Sequence, residues 1–139
     1  MTKEEEIAKN LSVIEYYKEQ LNSLDMQAQL VQAALAEYHK AKMTVEQLSN
    51  ADEKSDILIP VGGGTFLNGH IGDVSKILVD IGAGLVVEKP VDDAIKKIDE
   101  RIQKLQENQE KLVAMAQQLQ NEATEVSQKT QKLMQETKQ

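Results

Sequence analysis

Ile57-Leu58-Ile59-Pro60-Val61-Gly62-Gly63-Gly64-Thr65-Phe66-Leu67-Asn68-Gly69-His70-Ile71, followed by Lys76-Ile77-Leu78-Val79-Asp80-Ile81-Gly82-Ala83-Gly84-Leu85-Val86-Val87-Glu88-Lys89, decides how the chain folds. It is the part of the sequence rich in glycine and β-branched residues. Its alternation puts Ile57, Ile59 and Val61 on one face of a strand, and Ile77, Val79 and Ile81 on one face of another. Gly62-Gly63-Gly64 and Gly82-Ala83-Gly84 fall where each strand must double back, and a Gly-x-Gly turn supplies positive φ without strain. The spacing therefore predicts two β-hairpins, the second echoing the first twenty residues later. A lone hairpin with an apolar face is marginal in water, so both need something to pack on.

A heptad precedes the hairpins. One seam position reads Ile7, Ile14, Leu21, Ala28, Leu35, the other Tyr17, Leu24, Val31, Tyr38, Val45. Such a sustained seam predicts a coiled-coil helix over residues 1–50. Thr2 and Glu5 have the spacing of a capping box, Asn50 is the expected stop, and Asp52 to Asp56 make a polar connection. A second heptad follows, with Val91, Ile98, Leu105, Leu112, Leu119, Val126 and Leu133 in one position. Its alternate position, Ile95, Ile102, Gln109, Ala116, Ala123, Thr130, Thr137, turns small and polar towards the C-terminus. Pro90 is expected in the first helical turn of residues 91–139, with Asp92 and Asp93 facing the positive end of the helix dipole. Two nearly equal helices flanking residues 57–89 should fold back as an antiparallel pair. The expected class is α+β, mainly α, in a single domain spanning 1–139.

Composition bounds function. The 139 residues hold one Phe, no Trp and three Tyr, too few large side chains for a compact core. The absence of Cys excludes disulfides and thiolate ligands. Thr2-Lys3-Glu4-Glu5-Glu6 is not a signal sequence, and Ile77 to Val87, interrupted by Asp80, is too short to span a bilayer, so a soluble, cytoplasmic chain is expected. The net charge of −7 is spread over mixed-sign helix faces without a basic patch, which argues against nucleic-acid binding.

Catalytic readings fail one by one. Gly62-Gly63-Gly64-Thr65 lacks the lysine and the following helix of a phosphate loop. In Val79-Asp80-Ile81-Gly82-Ala83-Gly84 the third glycine of a dinucleotide fingerprint would fall at Val87, and a strand continues where a helix should begin. His39 lies beside the first seam and His70 in the second strand, too far apart for one ligand shell. The carboxylates sit among lysines on helix faces, as Glu100 does four residues before Lys104. No catalytic, cofactor-binding or metal residue is assigned, and no cofactor is expected.

Taken whole, helix, two hairpins and helix, with Val61-Gly62-Gly63-Gly64-Thr65-Phe66-Leu67-Asn68-Gly69 and Lys76 to Lys89, resembles the alpha subunits of prefoldin. The resemblance covers the entire chain, and the hairpin motifs are its specific part. Two hairpins point to the alpha class, the beta class having one. Leu85 departs from the family, where an aromatic is common, and the short chain without an extension is similar to archaeal members. The resemblance implies a hexamer of two alpha and four beta subunits, with strands joined in a β-barrel platform and coiled coils hanging from it. It implies a holdase that captures unfolded proteins at the coiled-coil tips without ATP and hands them to a group II chaperonin. By position, Ile7, Leu11, Ile14, Leu133 and Met134 become candidate client contacts. Ile57, Ile59, Val61, Phe66, Ile77, Val79, Ile81, Val86 and Val87 become candidate assembly residues. A coiled-coil scaffold binding a dedicated folded partner is the alternative, and a dinucleotide-dependent enzyme is disfavoured.

Overall fold

A computed structural model describes residues 2–51 and 55–138. The order is α1 (Lys3–Ser49), β1 (Asp56–Gly62), β2 (Thr65–His70), β3 (Lys76–Gly82), β4 (Leu85–Pro90) and α2 (Val91–Thr137). Each helix is 47 residues long. The capping box at the start of α1 is formed. The Glu5 amide donates to Thr2 Oγ1 at 3.2 Å, and the Thr2 amide donates to Glu5 Oε2 at 3.3 Å. The helix stops at Ser49, with the Asn50 side chain donating back to the Glu46 carbonyl. Of the expected polar connection, residues 52–54 lie outside the described residues, and Asp56 opens β1.

Pro90 is not in α2. It closes β4 opposite Lys76, and the Val91 amide continues the pairing by donating to the Ser75 carbonyl at 3.2 Å. Strand pairing thus runs up to the first helical residue, where a proline with no N–H and a fixed φ does no harm. Asp92 and Asp93 do occupy the first turn of α2.

The chain divides into two compact units. The terminal unit takes α1 up to Ala34 and α2 from Leu105. Within it the helices run antiparallel: Lys3 pairs with Glu136 at 3.2 Å, and Leu21, Leu24 and Ala28 share a groove with Leu112, Ala116 and Gln120. Leu24, Val31 and Leu112 are buried, as the heptads require. Thr130 is buried too, at 3% exposure, its hydroxyl satisfied by the Val126 carbonyl at 2.7 Å. Thr137, the last member of that seam series, is instead exposed.

The central unit is Leu35–Lys104. Here too the helices are antiparallel, with Lys42 and Asp99 paired at 2.8 Å, and Leu35, Val45, Ile98 and Ile102 buried. That ion pair raises the Lys42 pKa above its ordinary value, the Asp99 hydrogen bond outweighing desolvation. Ala94 is wholly buried although it belongs to neither heptad series. Glu100 lies 3.9 Å from Lys97, three residues back, and not on Lys104 as the spacing suggested. Such exposed pairs are worth about 0–1 kcal/mol.

The four strands form two separate two-stranded antiparallel sheets, β1–β2 and β3–β4. They share one register, and their sequences echo each other in the Ile-Leu pair and the glycine turn. Asp56 faces His70 as Lys76 faces Pro90, Ile59 faces Leu67 as Val79 faces Val87, and Pro60 faces Phe66 as Asp80 faces Val86. Each has a register shift at the same place, before Gly62 and before Gly82, and each is closed by a serine carbonyl. The Ser55 carbonyl accepts from Ile71 at 3.4 Å, as that of Ser75 does from Val91.

Candidate assembly and client-binding surfaces

At the hairpin tips, Gly63 and Gly64 have φ of 57° and 73°, and Ala83 and Gly84 have φ of 52° and 76°. These are the φ signs of a type I′ turn, whose twist matches that of the strands. Ala83 alone among the described residues holds positive φ with a side chain. A left-handed L-residue costs roughly 1–2 kcal/mol, offset in part by the greater unfolded-state freedom of glycine. Ala83→Gly is therefore expected to stabilise the β3–β4 hairpin by up to about 1 kcal/mol, read as slower amide exchange in those strands; faster exchange would contradict it.

The register sorts each hairpin into two faces. In the first, Ile57, Ile59 and Leu67 share one face, with Asp56, Leu58, Pro60, Phe66 and His70 on the other. Gly69 stands opposite Ile57, and the Ile59 Cδ1 lies 2.8 Å from where a Cβ would be. On the second face Asp56 and His70 approach to 2.8 Å across the ladder. Both faces are open: Ile59, Leu58, Val61, Phe66 and Leu67 are all exposed. Proline has no N–H, so Pro60 presents no donor on the free edge of β1, the usual way of limiting indiscriminate strand addition.

The second hairpin is different. Val79 is buried, at 7% exposure, where its counterpart Ile59 is 43% exposed. Ile77 and Val87 are half-buried beside it. The other face stays open, with Leu78 and Val86 exposed. The Asp80 carboxylate accepts from the Gly82 amide at 2.8 Å and braces the bulge. Arg101 of α2 donates to the Asp80 carbonyl while its guanidinium carbon sits 5.8 Å from the centre of the Tyr38 ring of α1. Between the hairpins, Asp73 accepts from the Ser75 hydroxyl and amide, and these bonds hold its carboxyl below the usual range.

Of the candidate assembly residues, Ile59, Val61, Phe66, Ile81 and Val86 are exposed, Ile57, Ile77 and Val87 half-buried, and Val79 buried. Phe66 and Val86 of the expected set lie on the second apolar face, but Leu58 and Leu78, among the most exposed large side chains there, were not expected, nor were Leu67 and Leu85. The repeated Ile-Leu pair at 57–58 and 77–78 was the available signal.

In the terminal unit Ile7, Ile14 and Leu133 are half-buried, while Leu11 and Met134 are 47% and 37% exposed. Tyr17 is half-buried as well, and desolvation followed by its interaction with Glu122 raises its pKa. Apolar exposure extends beyond the ends of the helices to Tyr16, Met26, Leu30, Val113 and Met115. Among the described residues no group of His, Cys, Asp and Glu could hold a metal ion, and no helix is long and apolar enough to cross a membrane.

Paired heptad helices carrying two hairpins with exposed apolar side chains define a coiled-coil protein of the hairpin-bearing class. The prefoldin family profile, described as prefoldin subunit, matches residues 17–136, and the chain belongs to that family. It is similar to prefoldin subunit alpha 1 of Thermococcus kodakarensis, 35% identical over 97 residues covering 65% of this chain and 66% of the relative. It is also similar to prefoldin subunit alpha of Thermococcus onnurineus, 45% identical over 60 residues covering 42% of this chain and 41% of the relative. The matches thus span about two fifths to two thirds of these relatives' lengths. A filamentous PFD of Methanocaldococcus jannaschii, solved by cryo-electron microscopy, has the same fold with a TM-score of 0.62. That likeness is 22% identical and covers 90% of this chain and 98% of the other.

Proposed function

We propose that the chain is the alpha subunit of a prefoldin-type holdase. The observation that carries this reading is the pair of hairpins whose apolar faces lie open on a member of this family. Partner strands from beta subunits would cover them, in a hetero-hexamer of two alpha and four beta chains joined through a β-barrel platform. The assembled complex holds unfolded proteins at the helix ends without nucleotide and passes them to a group II chaperonin in the cytoplasm. Ile7, Leu11, Ile14, Leu133 and Met134 are the proposed client contacts. Residues 1–139 act in this as one domain and perform no catalysis. Several weak apolar contacts presented together gain affinity through effective concentration, and Met134 supplies a pliable one.

The scaffold alternative draws on the half-buried state of Ile7, Ile14 and Leu133, which fits a closed coil made for one dedicated partner. The two part in a single experiment. The complex formed with a prefoldin beta subunit is mixed, without nucleotide, with several unrelated denatured proteins, and light scattering follows their aggregation. Suppression for all of them is expected; suppression for none, beside tight binding of one folded protein, would leave the scaffold.

A further inference from the structure

The two hairpins repeat each other in register, bulge and closing bond, yet among the described residues a helix side chain bonds to the second and none to the first. The difference centres on Arg101. Its guanidinium donates to the Asp80 carbonyl in β3 and lies over the Tyr38 ring, so one side chain of α2 ties the second hairpin to both helices of the central unit. The acceptor is main chain, and the Asp80 carboxylate is already engaged by the Gly82 amide. The contact therefore fixes the position of the strand and is not an ordinary surface ion pair. At the repeat positions that compare directly, Val79 is 7% exposed and Ile59 43%. Pro60 stands in the place of Asp80, and no described side chain donates to its carbonyl.

We propose that Arg101 is a positioning residue that makes the two hairpins unequal in assembly. The second is set on the helix pair before any partner arrives and offers a preorganised surface. The first is ordered by the partner it meets. Preorganisation lowers the ordering cost of association, so the second hairpin docks first and the first closes afterwards. The order of docking rests on the assembly reading above, whereas the preset hairpin can be measured in the free chain.

Amide hydrogen exchange of the full chain, alone and mixed with a prefoldin beta subunit, tests both parts. In the free chain, β3–β4 should exchange about tenfold more slowly than β1–β2, and after mixing β1–β2 should show the larger gain in protection. Arg101→Ala should bring β3–β4 to the rate of β1–β2 while leaving α1 and α2 unchanged. Arg101→Lys keeps a donor for the carbonyl but loses the flat stacking group, so it should recover part of the protection, and Tyr38→Leu should lose part of it. Equal rates for the two hairpins in the unaltered chain would overturn the proposal, and so would an Arg101→Ala chain in which β3–β4 stays slow. Faster exchange along both helices in that variant would also overturn it, since Arg101 would then prop the helix pair in general. If no complex forms with the beta subunit, the assembly reading and the docking order fall, and the free-chain rates still decide the role of Arg101.

Discussion

Replacing Phe66 and Val86 together by glutamate is expected to leave the isolated chain folded and to abolish its association with partner subunits. The two residues hold the same place in the two hairpins, opposite Pro60 and Asp80, and are 55% and 57% exposed. Substitution of side chains so exposed changes folding stability by about 0.5 kcal/mol or less. An interface that covers them, however, must bury two unpaired carboxylates. Leaving an uncompensated buried charge costs about 3–5 kcal/mol, and each 1.4 kcal/mol is a factor of ten in affinity. Even partial burial of both weakens association by more than about a thousandfold. Mass measurement of the mixed subunits reads the result, with circular dichroism confirming that the helices remain. A complex of unchanged mass would remove these faces from the assembly surface. Val79→Glu is the useful contrast, because Val79 is buried in the chain itself and its loss should disturb β3–β4 before any partner is present.

The second large effect lies at the helix ends. Deleting residues up to Ile14 together with those after Val126 removes all five proposed client contacts and leaves the central unit intact. The complex should keep its mass, while its apparent affinity for an unfolded protein falls by about a hundredfold or more, the scale on which linked weak sites reinforce one another. Leu11→Ser with Met134→Ser makes a gentler version of the same experiment, since both side chains are exposed and neither holds the seam. Undiminished protection by the shortened complex would move client binding elsewhere, with Met26 and Leu30 on α1 the next apolar side chains to examine.

The helix seams were legible from the sequence because the heptad repeat is a local pattern with one geometric solution. Leu24, Val31, Leu35, Val45, Ile98, Ile102 and Leu112 are buried where the repeat puts them. Ala94 escaped because it belongs to neither heptad series, although it is wholly buried. Thr130 read as a weak point of the seam and proved buried, its hydroxyl turned back onto its own helix. The hairpins and their turns were legible too, since positive φ at both tips leaves few residue types. Their second apolar face was legible only in part: Phe66 and Val86 were expected at the assembly surface, while Leu58 and Leu78 fell outside the face that the alternation of Ile57, Ile59 and Val61 picks out. Least legible was the contrast between Ile59 and Val79. Both are aliphatic residues at the same place in their strands, and the bond that holds only the second hairpin comes from Arg101, twenty-one residues along the chain from the carbonyl it engages.

The serine carbonyls that close the two hairpins make the chain modular. Ser55 and Ser75 occupy interchangeable stations, each followed by a strand of the same length and bulge and each receiving the amide that ends its own hairpin. Excising the twenty residues from Asp56 to Ser75 would splice Ser55 onto Lys76 and bring the Val91 amide to the Ser55 carbonyl, with every rung of the surviving ladder unchanged. A protein built this way can gain or shed a hairpin in one genetic step. The number of hairpins it carries is then as evolvable as a single residue.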